Sequence, residues 1–246
     1  MSDTVAEFKL DYSIIDENNS VAALIVAAGS SSRMKGTNKL FAPLLGIPVL
    51  ARTLLAFEKN YEINKIIISA AKENIADVEK ICSEYNISKL TDIVQGGNTR
   101  MESVLAAAKT ADSGSDFYAI HDGARPLISD KVINRTISAA KIYGAAVPAV
   151  PLKDTVKRIN KELFVIDTPA REEFMAVQTP QVISSKIFLP LIERACSLHA
   201  TVTDDCSLVE EAGKEVKVVE GDYKNIKITT PEDIAIAEAI LLKCND

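Results

Sequence analysis

The stretch Val21-Ala22-Ala23-Leu24-Ile25-Val26-Ala27-Ala28-Gly29-Ser30-Ser31-Ser32-Arg33-Met34 decides the fold. It opens on an unbroken apolar run with no polar alternation, the pattern of a strand buried on both faces of a parallel sheet. It closes on small residues and a cation. Gly and Ser at the carboxyl end of a first strand let backbone N–H groups approach a phosphate, hydroxyls add donors, and Arg33 with Lys39 adds charge. The plain alternative is a solvated Gly/Ser loop beside incidental cations. Its position after the first buried strand of an α/β sheet, where ligands bind, favours a site. Neither G-x-x-x-x-G-K-[ST] nor G-x-G-x-x-G is present, because Ser31 holds the second glycine's place.

Outward from this stretch, short apolar runs alternate with amphipathic ones. Residues 21–27, 65–70, 92–94, 117–121 and 145–150 read as strands, and 48–59, 75–85, 100–109 and 130–143 as helices. That alternation predicts a Rossmann-like three-layer α/β/α sandwich around a mostly parallel sheet. Thr99 with Glu102 forms a capping box before the helix at Arg100, and Thr230-Pro231 with Asp233 starts a last helix over 234–242. The rhythm breaks between 151 and 168, where Asp154 to Arg158 and Leu163 to Ile166 suggest a protruding β arm. Apolar on one side, it packs on its own domain or on another subunit. Residues 1–20 read as an N-terminal extension, and 21–246 as one domain with its arm near 151–171.

Lys and Arg number 28 against 34 Asp and Glu, a net charge of -6, which argues against nucleic acid and anionic membranes as partners. An anionic ligand must then meet a local cationic pocket. No run approaches the roughly 20 apolar residues that span a bilayer, and the acidic start lacks a signal pattern, so a cytoplasmic protein is expected. Cys82, Cys196, Cys206 and Cys244 form no C-x-x-C pair, and neither His121 nor His199 stands at a metal-ligand offset from them. Structural zinc, a disulfide scaffold and a local Ser/His/Asp signature all drop out.

A second constellation, His121-Asp122-Gly123-Ala124-Arg125-Pro126, follows another apolar strand, so Asp122 and Arg125 should project near the sheet edge that carries Arg33. An acid there can hold Mg²⁺, a sugar hydroxyl or an arginine; a capping Asp with a structural ion pair is the alternative. His121 reads as a packed strand-end residue.

Ala27-Ala28-Gly29-x-x-x-Arg33-Met34 with Lys39, Gly96-Gly97, the His121 to Pro126 string, Asp154-Thr155-Val156-Lys157, Gln178-Thr179-Pro180-Gln181, Thr203-Asp204-Asp205 and Asn225-Ile226-Lys227-Ile228-Thr229 stand in this order. Together they resemble the 2-C-methyl-D-erythritol 4-phosphate cytidylyltransferases of the non-mevalonate isoprenoid pathway. The resemblance runs from Val21 to about Leu242 and implies a nucleotide-diphospho-sugar transferase-like fold. It implies CTP with Mg²⁺ and a phosphorylated polyol, methylerythritol 4-phosphate, as substrates, and a homodimer with exchanged arms.

Carried over by position, Arg33 and Lys39 match residues that stabilise charge on the triphosphate, with Ala27, Ala28, Gly29 and Ser30 in the nucleotide loop. Gly97, Asn98 and Ser103 match the loop that reads cytosine by a tight backbone fit and donors at the base edge. Asp122 and Arg125 match a pair lining the sugar-phosphate region, Asp122 being also the metal-side candidate. Thr155, Arg171, Thr179, Thr203 and Lys227 match the methylerythritol phosphate site, where Arg171 and Lys227 grip the attacking phosphate. Ser31, Asn38, Leu40, Asn98 and Gly123 depart from the usual pattern of glycine, proline, glutamine, aspartate and alanine. A ribitol 5-phosphate cytidylyltransferase and a non-catalytic nucleotide-binding module are the rivals. The arm string and Thr203-Asp204-Asp205 favour the methylerythritol enzyme over the first, and the retained Arg33, Lys39 and Lys227 speak against the second.

Overall fold

The computed structural model describes residues 19–29, 38–111, 114–200 and 202–243. Of the expected extension over 1–20, residues 1–18 lie outside them. The opening apolar run is β1 (Val21–Ala27), which leads through a small ribbon, β2 (Pro43–Leu44) and β3 (Ile47–Pro48), into α1 (Val49–Lys59). Strand and helix then alternate: β4 (Lys65–Ala70), α2 (Ile75–Glu84), β5 (Leu90–Gln95), α3 (Arg100–Ala111), β6 (Phe117–Asp122), α4 (Asp130–Tyr143) and β7 (Ala145–Pro151). Next come β8 (Arg158–Ile159), β9 (Val165–Asp167), β10 (Met175–Val177), β11 (Gln181–Ser184), α5 (Ser185–Ser197), α6 (Cys206–Glu211), β12 (Lys217–Glu220) and α7 (Pro231–Lys243).

β1 sits mid-sheet with β4 and β6 parallel on its two sides, and β5 extends the sheet beyond β4. Past β6 the direction changes. β11 pairs antiparallel with β6 and with β7, β10 pairs antiparallel with β7, and β12 closes the far side of β7 in parallel. Ala149 pairs with both β10 and β12 while Ala146 pairs with both β11 and β12, so β10 and β11 lie along one flank of β7 as a single interrupted strand. Successive residues of β1 serve opposite layers. Val21, Ala23 and Ile25 join a core built with α1, α2 and α4, and Ala22 and Leu24 join one built with α3, α5 and α6. Burial on both faces is why these strands carry no polar alternation.

The expected elements are present with ends moved by a few residues; β6 takes in Asp122, α3 runs on to Ala111, and α7 starts at Pro231. The region 175–220 holds elements the hydrophobic pattern does not announce. β11 is four residues long and starts directly after Pro180, and α5 carries Pro190 inside it, so a residue that ordinarily ends such elements stands beside one and within the other. The arm is a hairpin: β8 and β9 pair antiparallel, Arg158 and Asp167 form an ion pair, and Lys157 Nζ donates to Thr168 Oγ1 at 2.7 Å. Leu163, Phe164, Val165 and Ile166 are 57–75% exposed on this chain. Among the described residues, no helix is long and apolar enough to cross a membrane, and Cys82, Cys196 and Cys206 are free thiols.

His121 pins the end of β6. It is fully buried against the Phe57 ring, 4.8 Å between centroids. Its Nε2 lies 3.3 Å from the Arg125 carbonyl, which can only accept, so Nδ1 accepts from Thr179 Oγ1 at 2.9 Å. That hydroxyl in turn accepts the Asp122 N–H at 3.2 Å. The packed-residue reading of His121 thus holds. Burial pushes its pKa down to about 3 from 6.5, against the smaller upward pull of Asp122. Between these values only the unfolded chain takes up the proton, so stability falls as pH drops through that window. Asp122, whose pKa is depressed, adds its own loss only as pH falls below about 3.8. Chemical unfolding at pH 7 and pH 4.5 should therefore differ by about 2–3 kcal/mol more in the parent than in His121→Asn. Equal pH slopes in the two proteins would show that His121 is not the group responsible.

Candidate active site

The carboxyl ends of β1 and β6 and the turn from β5 into α3 open into a cleft of ≈ 350 Å³. Val26, Ala27, Ala28 and Gly29 line it from β1, Gly97, Asn98, Thr99, Arg100 and Ser103 from the turn, and Lys39, Leu40, Asp122, Ala124 and Lys227 complete it. The turn closes against β1 because Gly96 and Gly97 lack side chains. A Cβ on Gly96 would fall 2.4 Å from Ala28 Cβ, and one on Gly97 would fall 2.3 Å from Glu102 Cβ. The expected capping box is formed: Thr99 Oγ1 accepts the Glu102 N–H at 3.1 Å, and Glu102 Oε2 accepts those of Asn98 and Thr99 at 2.6 and 3.3 Å. Ser103 Oγ accepts the Gly97 N–H at 3.2 Å. The backbone donors expected to face a base edge are thus spent inside the turn.

Asp122 is the electrostatic centre. It is 8% exposed, and three cations from three different segments converge on it. Lys227 Nζ lies 2.8 Å from Oδ2, Arg125 Nε 3.6 Å from Oδ2, and Arg100 Nε 3.4 Å from Oδ1. Burial alone would raise the Asp122 carboxyl, but Arg100, Lys227 and Arg125 more than offset it and hold the group well below the usual carboxylate range. Burial lowers Arg125, partly countered by Asp122. Arg125 Nη1 donates to the Asn225 carbonyl at 2.8 Å, and Ile228 N–H to the Ala124 carbonyl at 2.8 Å, which fastens the extended segment carrying Lys227 to the loop just after β6. Arg100 also grips Asp205 with both terminal nitrogens, at 2.8 and 2.7 Å.

Beside the cleft lies a second cavity of ≈ 210 Å³, lined by Arg100, Asp122, Arg125, Lys227, residues 177–179, Gln181, Thr203 and Asp204. Arg100, Asp122 and Lys227 line both spaces. An acidic protein has gathered a cationic seam where two cavities meet.

Ala27, Ala28, Gly29, Lys39, Gly97, Asn98, Ser103, Asp122 and Lys227 come together in the first cleft, and Arg125, Thr179 and Thr203 join Asp122 and Lys227 in the second. Ser30 and Arg33 lie outside the described residues. Thr155 and Arg171 line neither cavity of their own chain; Arg171 Nη1 donates to the Lys153 carbonyl at 2.8 Å beside the arm. Sequence reasoning singled out neither Arg100, which lines both cavities, nor, beyond its place in the Thr203-Asp204-Asp205 motif, Asp205, which holds Arg100 by two hydrogen bonds. The available signal was a cation at the first position of a helix, where the macrodipole disfavours it unless a tertiary partner compensates.

The model of the family described as 2-C-methyl-D-erythritol 4-phosphate cytidylyltransferase matches residues 21–243. A protein of that description from Dehalococcoides mccartyi is 46% identical over 92% of this chain and 98% of its own length. One from Bacillus cereus is 44% identical over 89% and 96%. The solved 4-diphosphocytidyl-2C-methyl-D-erythritol synthase of Anaerococcus prevotii superposes with a TM-score of 0.84 at 33% identity, covering 93% of this chain and 98% of that one. The Thermus thermophilus cytidylyltransferase superposes at 0.71 and 28% identity over 90% and 98%. With the ordered motifs, the sheet and the two adjoining cavities all in agreement, this chain belongs to the 2-C-methyl-D-erythritol 4-phosphate cytidylyltransferase family.

Proposed function

We propose that the protein transfers CMP from CTP to 2-C-methyl-D-erythritol 4-phosphate, giving 4-diphosphocytidyl-2-C-methyl-D-erythritol and pyrophosphate. The observation that carries this reading is the shared seam: Arg100, Asp122 and Lys227 line both the larger and the smaller cavity. Two anionic substrates held in those spaces would meet there. A phosphate oxygen of the acceptor attacks the α-phosphorus of CTP, a P–O–P bond forms, and the bond to the β-phosphate breaks as pyrophosphate leaves with its electron pair. No nucleophilic side chain is needed, only preorganised cations and alignment.

Lys227 grips the attacking phosphate, and Lys39, with Arg33 by family position, neutralises charge growing on the triphosphate. Thr179, Thr203 and Arg125 orient the polyol phosphate. With the Gly97 and Asn98 N–H groups bonded to Ser103 Oγ and Glu102 Oε2, the turn would meet a base through its acceptors, which suits the exocyclic amine of cytosine, a donor, better than the carbonyl uracil carries there. Among the described residues, no group of His, Cys, Asp and Glu could hold a metal alone. Among the described residues, Asp122 is the one acid lining the larger cavity, which fits Mg²⁺ bound through a single carboxylate and substrate phosphates. Held by Asp122 and the triphosphate, the ion would supply further charge neutralisation. CTP as donor fits a cytoplasmic setting.

We also infer a homodimer with exchanged arms. The exposed Leu163 to Ile166 run would be covered by a partner, and Thr155 and Arg171, which line neither cavity of their own chain, would complete the partner's acceptor site.

Pyrophosphate release should require CTP, with UTP the closest competitor and ATP and GTP poor, and should prefer methylerythritol 4-phosphate over ribitol 5-phosphate. Preference for ribitol 5-phosphate, or CTP binding without release, would replace this reading with one of its rivals. Lys39→Ala and Lys227→Ala should each lose about 10²- to 10³-fold in turnover; turnover within a few-fold of the parent would remove the assigned role. Mixing Arg171→Ala chains with Lys39→Ala chains should restore activity above the sum of the two parents, because one site of the mixed dimer carries neither defect. No recovery after demonstrated chain exchange would mean that Arg171 serves its own subunit.

A further inference from the structure

We infer that Arg100 and Asp205 form a positioning pair for the transfer, the buried Asp205 carboxylate clamping the guanidinium so that its remaining edge faces Asp122 at the seam between the two cavities. No family motif quoted above gives Arg100 a role. Its place is locally unfavourable, since it opens α3 with a positive charge at the positive end of the helix. Asp205 is 3% exposed, and both of its oxygens are taken by Arg100 Nη1 and Nη2 at 2.8 and 2.7 Å. A planar fork held at two points has one orientation.

A guanidinium carries five N–H bonds. Two are spent on Asp205, and the Nε–H is turned to Asp122 Oδ1 at 3.4 Å. Planarity puts the second N–H of Nη2 on the same edge as Nε–H. The clamp thus leaves a donor edge toward Asp122 on a side chain that lines both cavities. Through Asp122 the orientation reaches Lys227, 2.8 Å from the other carboxylate oxygen. Arg100 is in this view a positioning residue, setting where Asp122 and Lys227 stand when the substrates align.

Charge and geometry make opposite predictions here. Asp205→Asn removes a negative charge from a site for two anions, so a purely electrostatic role predicts equal or faster turnover and lower KM. Arg100→Lys keeps the charge and loses the fork, so the same role predicts near-parent activity. The positioning role predicts that both variants lose kcat, by about 10- to 10²-fold, with KM for CTP changing far less. Because the two residues act as one device, the double variant should lose little more than the worse single.

The experiment is steady-state pyrophosphate release by the full chain with CTP and methylerythritol 4-phosphate, each varied at saturation of the other, at a temperature where thermal melting shows every protein folded. Either single variant within about threefold of the parent kcat overturns the inference, as does a double variant whose loss is the product of the singles. Should one single variant not fold, the other decides alone. The inference rests on the proposed transfer, and the two fail differently: an inactive parent refutes the transfer, whereas an active parent with active variants refutes only the pair.

Discussion

Three cations cannot be held at one sheet edge without a counter-charge, and the Asp122 carboxylate supplies it. Arg100 comes from the start of α3, Arg125 from the loop after β6, and Lys227 from the segment before α7. One buried acid therefore fixes the relative positions of three chain segments. Taking that acid out of water is costly, and the cost is offset only because every cation around it is close and oriented. The arrangement is also poised for anions: substrate phosphates entering the seam find positive charge already gathered, with little reorganisation left to do.

The backbone beneath Asp122 explains why it holds still. β6 is paired on both sides, to β1 in parallel and to β11 antiparallel, and its last residues are tied across to β11 through His121 and Thr179. The antiparallel insertion matters for function as well as for sheet order. It brings Thr179 and Gln181 beside the end of β6, and Gln181 Nε2 then reaches Asp204 Oδ2 at 2.7 Å, which draws the start of α6 to the smaller cavity. A wholly parallel sheet would have put a helical crossover there.

Much of this frame was legible from residue pattern. Strands buried on both faces announce themselves as apolar runs, and β1, β4, β6 and β7 read correctly within a residue or so. The capping box and the last helix followed from hydroxyl, proline and acid spacing. The part from Met175 to Glu220 did not read, because strands of three or four residues, one of them directly after a proline, and a helix with an internal proline contradict local rules that only tertiary packing overrides. The site divides in the same way. Residues on motifs, Asp205 among them, were found by resemblance, whereas the pairing of Asp205 with Arg100, 105 positions away, forms only once α3 and α6 are both in place. A separation of that length leaves no periodicity to detect.

The departures from the family pattern show which parts of the cleft tolerate rebuilding. Asn38 stands where proline is usual, and its Oδ1 accepts the Leu40 N–H at 3.1 Å, so a side-chain turn replaces the conformational restraint of the ring. Leu40 stands where glutamine is usual; at 3% exposure it joins the core around β1 and α1 and gives the cleft an apolar border in place of an amide. Asn98, in place of aspartate, keeps its N–H on Glu102 Oε2 at 2.6 Å, so the turn is held by Glu102, Thr99 and Ser103 without a side-chain bond from position 98, and the substitution removes a negative charge from a space that would receive an anionic nucleotide. Each change is absorbed within a few residues of chain. None of these three touches Asp122 or its three cations, whose positions depend on long-range contacts and could not be repaired locally. The loops can therefore vary in how they turn, while the charged seam is constrained by every segment that meets there.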